Sequence, residues 1–521
     1  MLTYSNPILY ADYSDPDVIR VGEDFYLVAS SFTNTPALPI LHSTDLVHWE
    51  ILSYALENLP FPRYDKVQHG CGVWAPAIRY HEGTFYLLFP MPDEGIFMTK
   101  ATDPAGVWSE PVTVAAVPGW IDPCPFWDED GRVYMVHAFA KSRIGFNAKL
   151  QIVELKPDLT GLLGEPRIVF DGNVCDQPTI EGPKLYSREG YYYIFAPAGG
   201  VKQGWQTVLR AKDIFGPYEF REVLSQQDTA VNGPHQGAWV DTEAGDDWFV
   251  HFQDVYAAGR ILHLQPMHWE RDGWPVLGDE GRPVSQMLLP LGESTEHMPD
   301  RHSFGLQWQW NANHGKDWLV SNEGEERITL RAVRSEPFLC DQPNLYLQKW
   351  DAPEFLWQVK LDSSGLNEGD EAGIVSLGMT YGALSIEQTG DGLRLIARQG
   401  SQHFTGEIPV NEEKICGQWT MDPTEVVGFR IRVERESSTE QNTEGRYAFP
   451  IPRERITLSF SEDGVRYTEA LSYVAEAGRW VGVKYGIFCR SRRETSTGTA
   501  DFFFHRALRD SGTGFPACNG R

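Results

Sequence analysis

The sequence predicts an all-β protein, a five-bladed β-propeller followed by a β-sandwich. Three observations predict it. One unit recurs five times in the first half of the chain, apolar alternation governs the second half, and helical periodicity is nearly absent. At 521 residues the chain exceeds a single core. The domains are therefore read as 1–295, the propeller, and 301–521, the sandwich, with a linker near Leu291–Asp300.

The units run Asp15-Pro-Asp…Phe-Tyr26, Ala75-Pro-Ala…Phe-Tyr86, Asp122-Pro-Cys…Val-Tyr134, Glu181-Gly-Pro…Tyr-Tyr192 and His235-Gln-Gly…Asp-Trp248. Each opens with a proline- or glycine-marked strand start, followed by a turn and an aromatic strand. Their starts are 60, 47, 59 and 54 residues apart, which suits four strands per unit with loops of varied length. Ser43–Trp49 and Ala211–Tyr218 look alike and read as the unit ends.

Beyond residue 300 the repeat is lost and alternation takes over. Ile456, Leu458 and Phe460 share one face of a strand, and Glu354–Val359 and Gly428–Val433 behave alike. Ser461–Gly464 reads as a hairpin turn. A second all-β domain, most simply a sandwich, follows. The polar run Glu436–Gly445 reads as an exposed, mobile loop.

Composition narrows the function. The 49 glycines and 34 prolines punctuate apolar runs, which argues against collagen or disorder. A formal charge of −27 repels nucleic acid. Seven scattered cysteines form no CxxC pair, and neither a basic-then-apolar leader nor a long apolar span is visible. The expectation is a cytoplasmic protein with reduced thiols that associates with neither nucleic acid nor membrane.

Register within the repeat locates the chemistry. If each unit opens with the strand nearest the axis, the unit starts crowd at one mouth of the central channel. Those residues are Asp15, Ala75, Asp122, Glu181 and His235. A lone Asp-Pro is a common turn opening, but three acids at one phase mark a site, because gathered carboxylates raise one another's pKa values. Of the surrounding aromatics Phe32, Trp74, Trp120, Phe126 and Trp205, Trp74 and Phe32 are the expected sugar contacts and the others core. Carboxylates beside aromatic walls suit glycoside hydrolysis, which needs one protonated acid and a second carboxylate that activates water or attacks the sugar.

At these residues the chain resembles glycoside hydrolase family 43. Asn6-Pro-Ile-Leu…Ser14-Asp-Pro-Asp-Val-Ile-Arg20, Gly119-Trp-Ile-Asp-Pro123 and Thr179-Ile-Glu-Gly-Pro-Lys-Leu-Tyr186 are similar to its three acid-bearing segments. The resemblance implies an inverting mechanism with Asp15 as general base, Asp122 as the residue that tunes and orients the acid, and Glu181 as general acid. It implies Arg260 as a substrate-contacting arginine, with an inter-blade salt bridge as the alternative. It implies His235 as the histidine near the channel, with a hydrogen-bonded core histidine as the alternative. Phe32 and Trp74 match aromatics around the terminal sugar. No cofactor is required and no side chain is assigned to a metal, although a structural Ca2+ in the propeller channel is kept in view. Ser14 and Ala196–Trp205 depart from the common pattern. In the branch that carries a C-terminal sandwich, an aromatic of that domain closes the pocket, and Trp480 is the candidate.

The expected activity is exo-hydrolysis of terminal β-D-xylosyl or α-L-arabinofuranosyl residues from hemicellulose-derived oligosaccharides. Two alternatives stand beside it: an endo-acting arabinanase with an open groove, and a non-catalytic sugar-binding propeller. The partner is an oligosaccharide, and oligomeric state is left open, a homo-oligomer included.

Overall fold

The computed structural model of the chain describes residues 3–289, 305–322, 326–421 and 426–504. The expected linker near Leu291–Asp300, the domain edges at 295 and 301, and Cys518 lie outside the described residues.

Five four-stranded antiparallel sheets follow one another in chain order, each a simple meander. Their first strands are Asp17–Val21, Ala77–His81, Trp120–Trp127, Lys184–Arg188 and His235–Asp241. The first strands of blades one, two, three and four pack side against side, and that of blade five packs on blade one, as the innermost strands of a propeller must. Ser43–Trp49 and Ala211–Tyr218 do not end the units. They form the turn between third and fourth strands, where Asp45 Oδ1 accepts from the Val47 and His48 amides and Asp213 Oδ1 from Phe215 N. An aspartate side chain that folds back onto nearby amides is a local turn signal, which is why these segments look alike.

The N-terminal segment closes the ring. Ile8 N donates to Leu262 O, Leu262 N to Leu9 O and Tyr13 N to Arg260 O, so the first residues lie along the third strand of blade five. Asn6 secures this edge by accepting from Leu264 N and donating to Leu264 O and Val284 O.

One buried cation joins the blades within the channel. The guanidinium of Arg79 donates to Asp17 Oδ2 at 2.6 Å and to Cys124 Sγ at 2.8 Å, and it lies over the Tyr186 ring at 5.5 Å. Tyr186 Oη in turn accepts from Trp239 N. Residues of all five blades therefore meet on one polar chain directly beneath the phase of the acids. Asp17 is fully buried, so its charge is tolerable only because Arg79 and the Ile78 amide face it.

The second domain is a sandwich of two large antiparallel sheets over a shared apolar core that includes Ile374, Leu384, Phe429, Ile456, Leu458 and Phe502. Alternation is as expected on Glu454–Ser461, where Ile456 and Leu458 are buried and Thr457 and Ser459 are not. Glu436–Gly445 is largely exposed, as expected, and it touches the propeller at defined points. Gln441–Asn442 pairs with Phe449–Pro450, Gln203 Nε2 donates to Asn442 Oδ1, and Arg446 lies over Trp205 while pairing with Glu222. Docking on blade four, invisible in a local polar pattern, orders the segment.

Replacing Arg79 with Ala leaves Asp17 buried without its counter-ion. We expect a loss of about 3–5 kcal/mol in urea-induced unfolding. A smaller loss than replacement of an exposed arginine such as Arg334 produces would deny Arg79 its central role.

Candidate active site

Asp15, Asp122 and Glu181 are delivered by sharp bends at the inner ends of blades one, three and four. Asp15 and Asp122 hold left-handed backbone angles, φ 58° and 57°, each directly before a proline, and Gly182 after Glu181 holds φ 58°. Such angles are uncommon outside glycine, and here they turn carboxyl groups away from the strand direction toward the mouth. The Trp120–Trp127 strand shifts register between Ile121 and Cys124, which accommodates the bend at Asp122.

The three acids receive different partners. Asp15 accepts from Ser30 Oγ at 2.5 Å and from the buried Arg260 guanidinium at 3.2 Å. Asp122 accepts from Gly182 N at 2.8 Å, next in the chain to Glu181. Burial pushes Asp122 up to about 6, resisted by the Gly182 hydrogen bond. Glu181 has no strong donor. Burial, then the charges of Asp122 and Asp15, raise it to about 8. Its side chain still opens 26% of its surface to the mouth. The arrangement provides one carboxylate held by a cation, one acid kept protonated to high pH, and a third carboxylate whose charge helps keep it so.

His235 is fully buried, and its Nε2 lies 3.6 Å from Glu181 Oε1, beyond hydrogen-bond range. Burial, with the positive charge of Arg260, holds it down to about 3, so the ring is neutral. Neither ring nitrogen meets a hydrogen-bond partner among the described residues. Ca2+ favours six to eight oxygen ligands. Among the described residues no three histidine, cysteine or acidic side chains converge on one point in the channel, so a Ca2+ there would draw most of its ligands from carbonyl oxygens and water. Arg260 pairs with Asp15 across blades five and one and also stacks over Phe252 at 5.1 Å. It is therefore an inter-blade bridge that ends on the expected base.

Phe32 and Trp74 lie together, ring centroids 6.3 Å apart, beside the acids' end of blades one and two. Phe32 and Val73 exchange backbone hydrogen bonds, and Gly72 permits that approach, since a Cβ there would stand 2.1 Å from Phe32 O. Arg143 lies over Trp74 at 4.9 Å. Trp120, Phe126 and Trp205 belong to the packing between strands and blades.

The model of the glycosyl hydrolases family 43 matches residues 4–275. The chain belongs to this family. A model described as the beta xylosidase C-terminal concanavalin A-like domain matches residues 300–506. Among family 43 relatives, a protein of Xylanibacter ruminicola is 43% identical over 348 residues, 64% of this chain and 64% of its own length. That match spans less than two thirds of the relative. The non-reducing end alpha-L-arabinofuranosidase BoGH43B of Bacteroides ovatus is 27% identical over 96% of this chain and 94% of its own. The solved structure titled Bacteroides ovatus Xyloglucan PUL GH43B superposes with a TM-score of 0.78 at 25% identity, covering 97% of this chain and 100% of that one.

Several residues of this family 43 site escaped sequence reasoning. Ser30 and Gln236 touch Asp15 and Asp122, and the buried Lys184 lowers the Asp122 pKa through its charge. Asp12 accepts from the Arg260 amide and from Gly482 N of the sandwich. Only Asp12 carried a signal, as an acid three residues before the expected base. Trp480 is 44% exposed on a loop pinned at both sides of the mouth, by Arg479 against Gly70 and by Gly482 against Asp12 and Gly259.

Because Glu181 serves protonated, kcat/KM should fall as pH rises through about 8. The Asp122 charge contributes to that raised value, so Asp122→Asn should move the alkaline limb to lower pH as well as slow the reaction. An alkaline limb that stays in place in the variant would remove Asp122 from this role.

Proposed function

We propose that the chain is an inverting, exo-acting glycosidase that releases terminal β-D-xylosyl or α-L-arabinofuranosyl residues from hemicellulose-derived oligosaccharides. Glu181 gives its proton to the glycosidic oxygen as the bond to the anomeric carbon breaks. Asp15 takes a proton from a water that attacks the opposite face. Asp122 holds Glu181 protonated and fixes its position through Gly182. The proton given up by the acid and the proton taken by the base leave the pair to be reset by exchange with solvent.

One observation carries this reading: the three acids differ in partner, with the cation on Asp15 and none on Glu181. A sugar-binding module has no use for that division. Exo action is supported by the sandwich, whose loop around Trp480 and whose hairpin tip at Glu407 reach the propeller beside Trp74 and Arg260. An endo-acting arabinanase needs an unobstructed groove at that place. The sugars come from relatives, one named beta-xylosidase in Formosa agariphila and one named non-reducing end alpha-L-arabinofuranosidase in Bacteroides ovatus. Among the described residues six cysteines are unpaired, which suits the reducing, cytoplasmic setting that belongs to this proposal.

Acid and base separate by leaving group. On an oligosaccharide, Glu181→Ala should lower kcat about 10²–10⁴-fold. On nitrophenyl pentosides, whose leaving group needs little protonation, the loss should be much smaller. Asp15→Asn should abolish turnover on both while leaving the circular dichroism spectrum unchanged. Equal losses for Glu181→Ala on both substrates would contradict its role as acid.

Proton NMR of fresh product should show inverted anomeric configuration; retained configuration would rule out the water-activating base. The ratio of kcat/KM on the xyloside and arabinofuranoside decides the preferred sugar. Release of internal fragments from arabinan would instead establish the endo reading.

A further inference from the structure

A second constellation lies where the propeller meets the sandwich, and none of the three acids belongs to it. His69 stands on the propeller loop that leads to Trp74. Cys340 and Asp341 stand on the short sandwich turn Leu339–Asp341. Nε2 or Nδ1 of the histidine, Sγ of the cysteine and a carboxylate oxygen all fall within 4.8 Å of one another. We propose that these side chains form a site for a divalent transition-metal ion, Zn2+ by preference, that ties the two domains together.

The donor set selects the ion. Thiolate with imidazole and one carboxylate suits Zn2+ and disfavours Ca2+ or Mg2+, which want oxygen. The geometry agrees. Bonds of about 2.0–2.3 Å in a tetrahedron place ligand atoms roughly 3.3–3.6 Å apart. Here His69 Nε2 is 2.9 Å and Cys340 Sγ 3.9 Å from Asp341 Oδ1. These two separations lie within a few tenths of an ångström of that range, and the histidine and sulfur donors, within 4.8 Å of each other, close around the ion by side-chain rotation.

The supporting groups are already placed. Asn411 Nδ2 donates to Asp341 Oδ2 at 2.7 Å and leaves Oδ1 for the ion. Asn311 Nδ2 holds the Cys340 carbonyl, and Leu339 N donates to Glu413, so the turn is fixed on both sides. Gln402 Nε2 points at the sulfur from 3.9 Å. Outer partners of this kind orient metal ligands. The fourth position faces a cavity of about 680 Å³ lined by His69 and Asp341 with Arg63, Gln68, Arg143 and Glu407, open to a water ligand.

Binding breaks the Cys340 S–H bond, forms a sulfur–metal bond and releases the proton to solvent, while His69 binds as neutral imidazole. Without metal, His69 and Asp341 simply hydrogen-bond across the boundary. The ion converts one such bond into a three-point clamp.

The test is a Co2+ titration of the full-length chain after chelation and desalting. One equivalent should give thiolate-to-cobalt absorption in the near ultraviolet and visible bands of tetrahedral strength, both erased by Zn2+, and Zn2+ should raise Tm. Cys340→Ser should remove the near-ultraviolet band, and Cys416→Ser, which changes an exposed thiol, should leave it. His69→Ala keeps the thiol and tests the propeller side of the site. It should weaken binding at least about 10–100-fold, the loss typical of even an outer partner. No absorption at one equivalent, or a band that survives both Cys340→Ser and His69→Ala, overturns the proposal.

Discussion

The pairing of Arg79 with Asp17 is the constraint on which the rest of the propeller depends. A ring of five sheets has a channel at its axis, and side chains must fill it. Arg79 crosses that space and is met by Asp17, Cys124 and Tyr186 from three other blades, with Trp239 of the fifth joined through Tyr186. A long planar cation suits this place, because its several donors satisfy partners arriving from different directions. The innermost strands are thereby held in one register. The acids, set two to five positions earlier in the same units, have a floor beneath them.

On that floor the site works through unequal compensation. Three carboxyl groups share one desolvated mouth, and equal treatment would leave all three titrating together. Arg260 and Ser30 hydrogen-bond Asp15. Asp122 has one backbone donor, and at Glu181 burial and the charges of Asp122 and Asp15 outweigh the attraction of Arg260. A positive charge beside Glu181 would undo this. His235 is the nearest ring, and burial with the Arg260 charge keeps it neutral. Arg260 therefore acts twice, once by hydrogen-bonding Asp15 and once by discouraging a proton on His235.

How much of this was legible in the sequence follows from what the repeat can carry. Strand order, blade number and the phase of Asp15, Asp122 and Glu181 recur with the unit, and the structure brings those three acids together. Phe32 with Trp74 came from their place beside unit starts. Turns such as Ser43–Trp49 were visible as similar segments, yet their position inside the blade was not, because an aspartate-capped turn has the same local pattern wherever it joins two strands. Ser30, Gln236 and Lys184 belong to no shared phase, and their roles exist only once the blades are side by side. The contacts of the exposed Glu436–Gly445 segment and its flank were hidden for the same reason: its polarity is local, and the Trp205, Gln203 and Glu222 that they meet are more than two hundred residues away.

The sandwich is tied to the base, not merely appended to the propeller. Asp12 accepts from the Arg260 amide with one carboxylate oxygen and from Gly482 N of the sandwich with the other. Its carbonyl accepts from Lys349, whose ammonium also lies 4.2 Å from the centre of the Tyr13 ring. Gly259 makes the approach possible, because a Cβ there would stand 2.6 Å from the Asp12 carboxyl and 2.8 Å from Gly482 Cα. Arg260 follows Gly259 directly, and its guanidinium ends on Asp15. Seating the sandwich therefore fixes the backbone from which the arginine reaches the base, and the same loop carries Trp480 to the mouth. The placement of the arginine on Asp15 and that of the Trp480 loop rest on one contact between the domains.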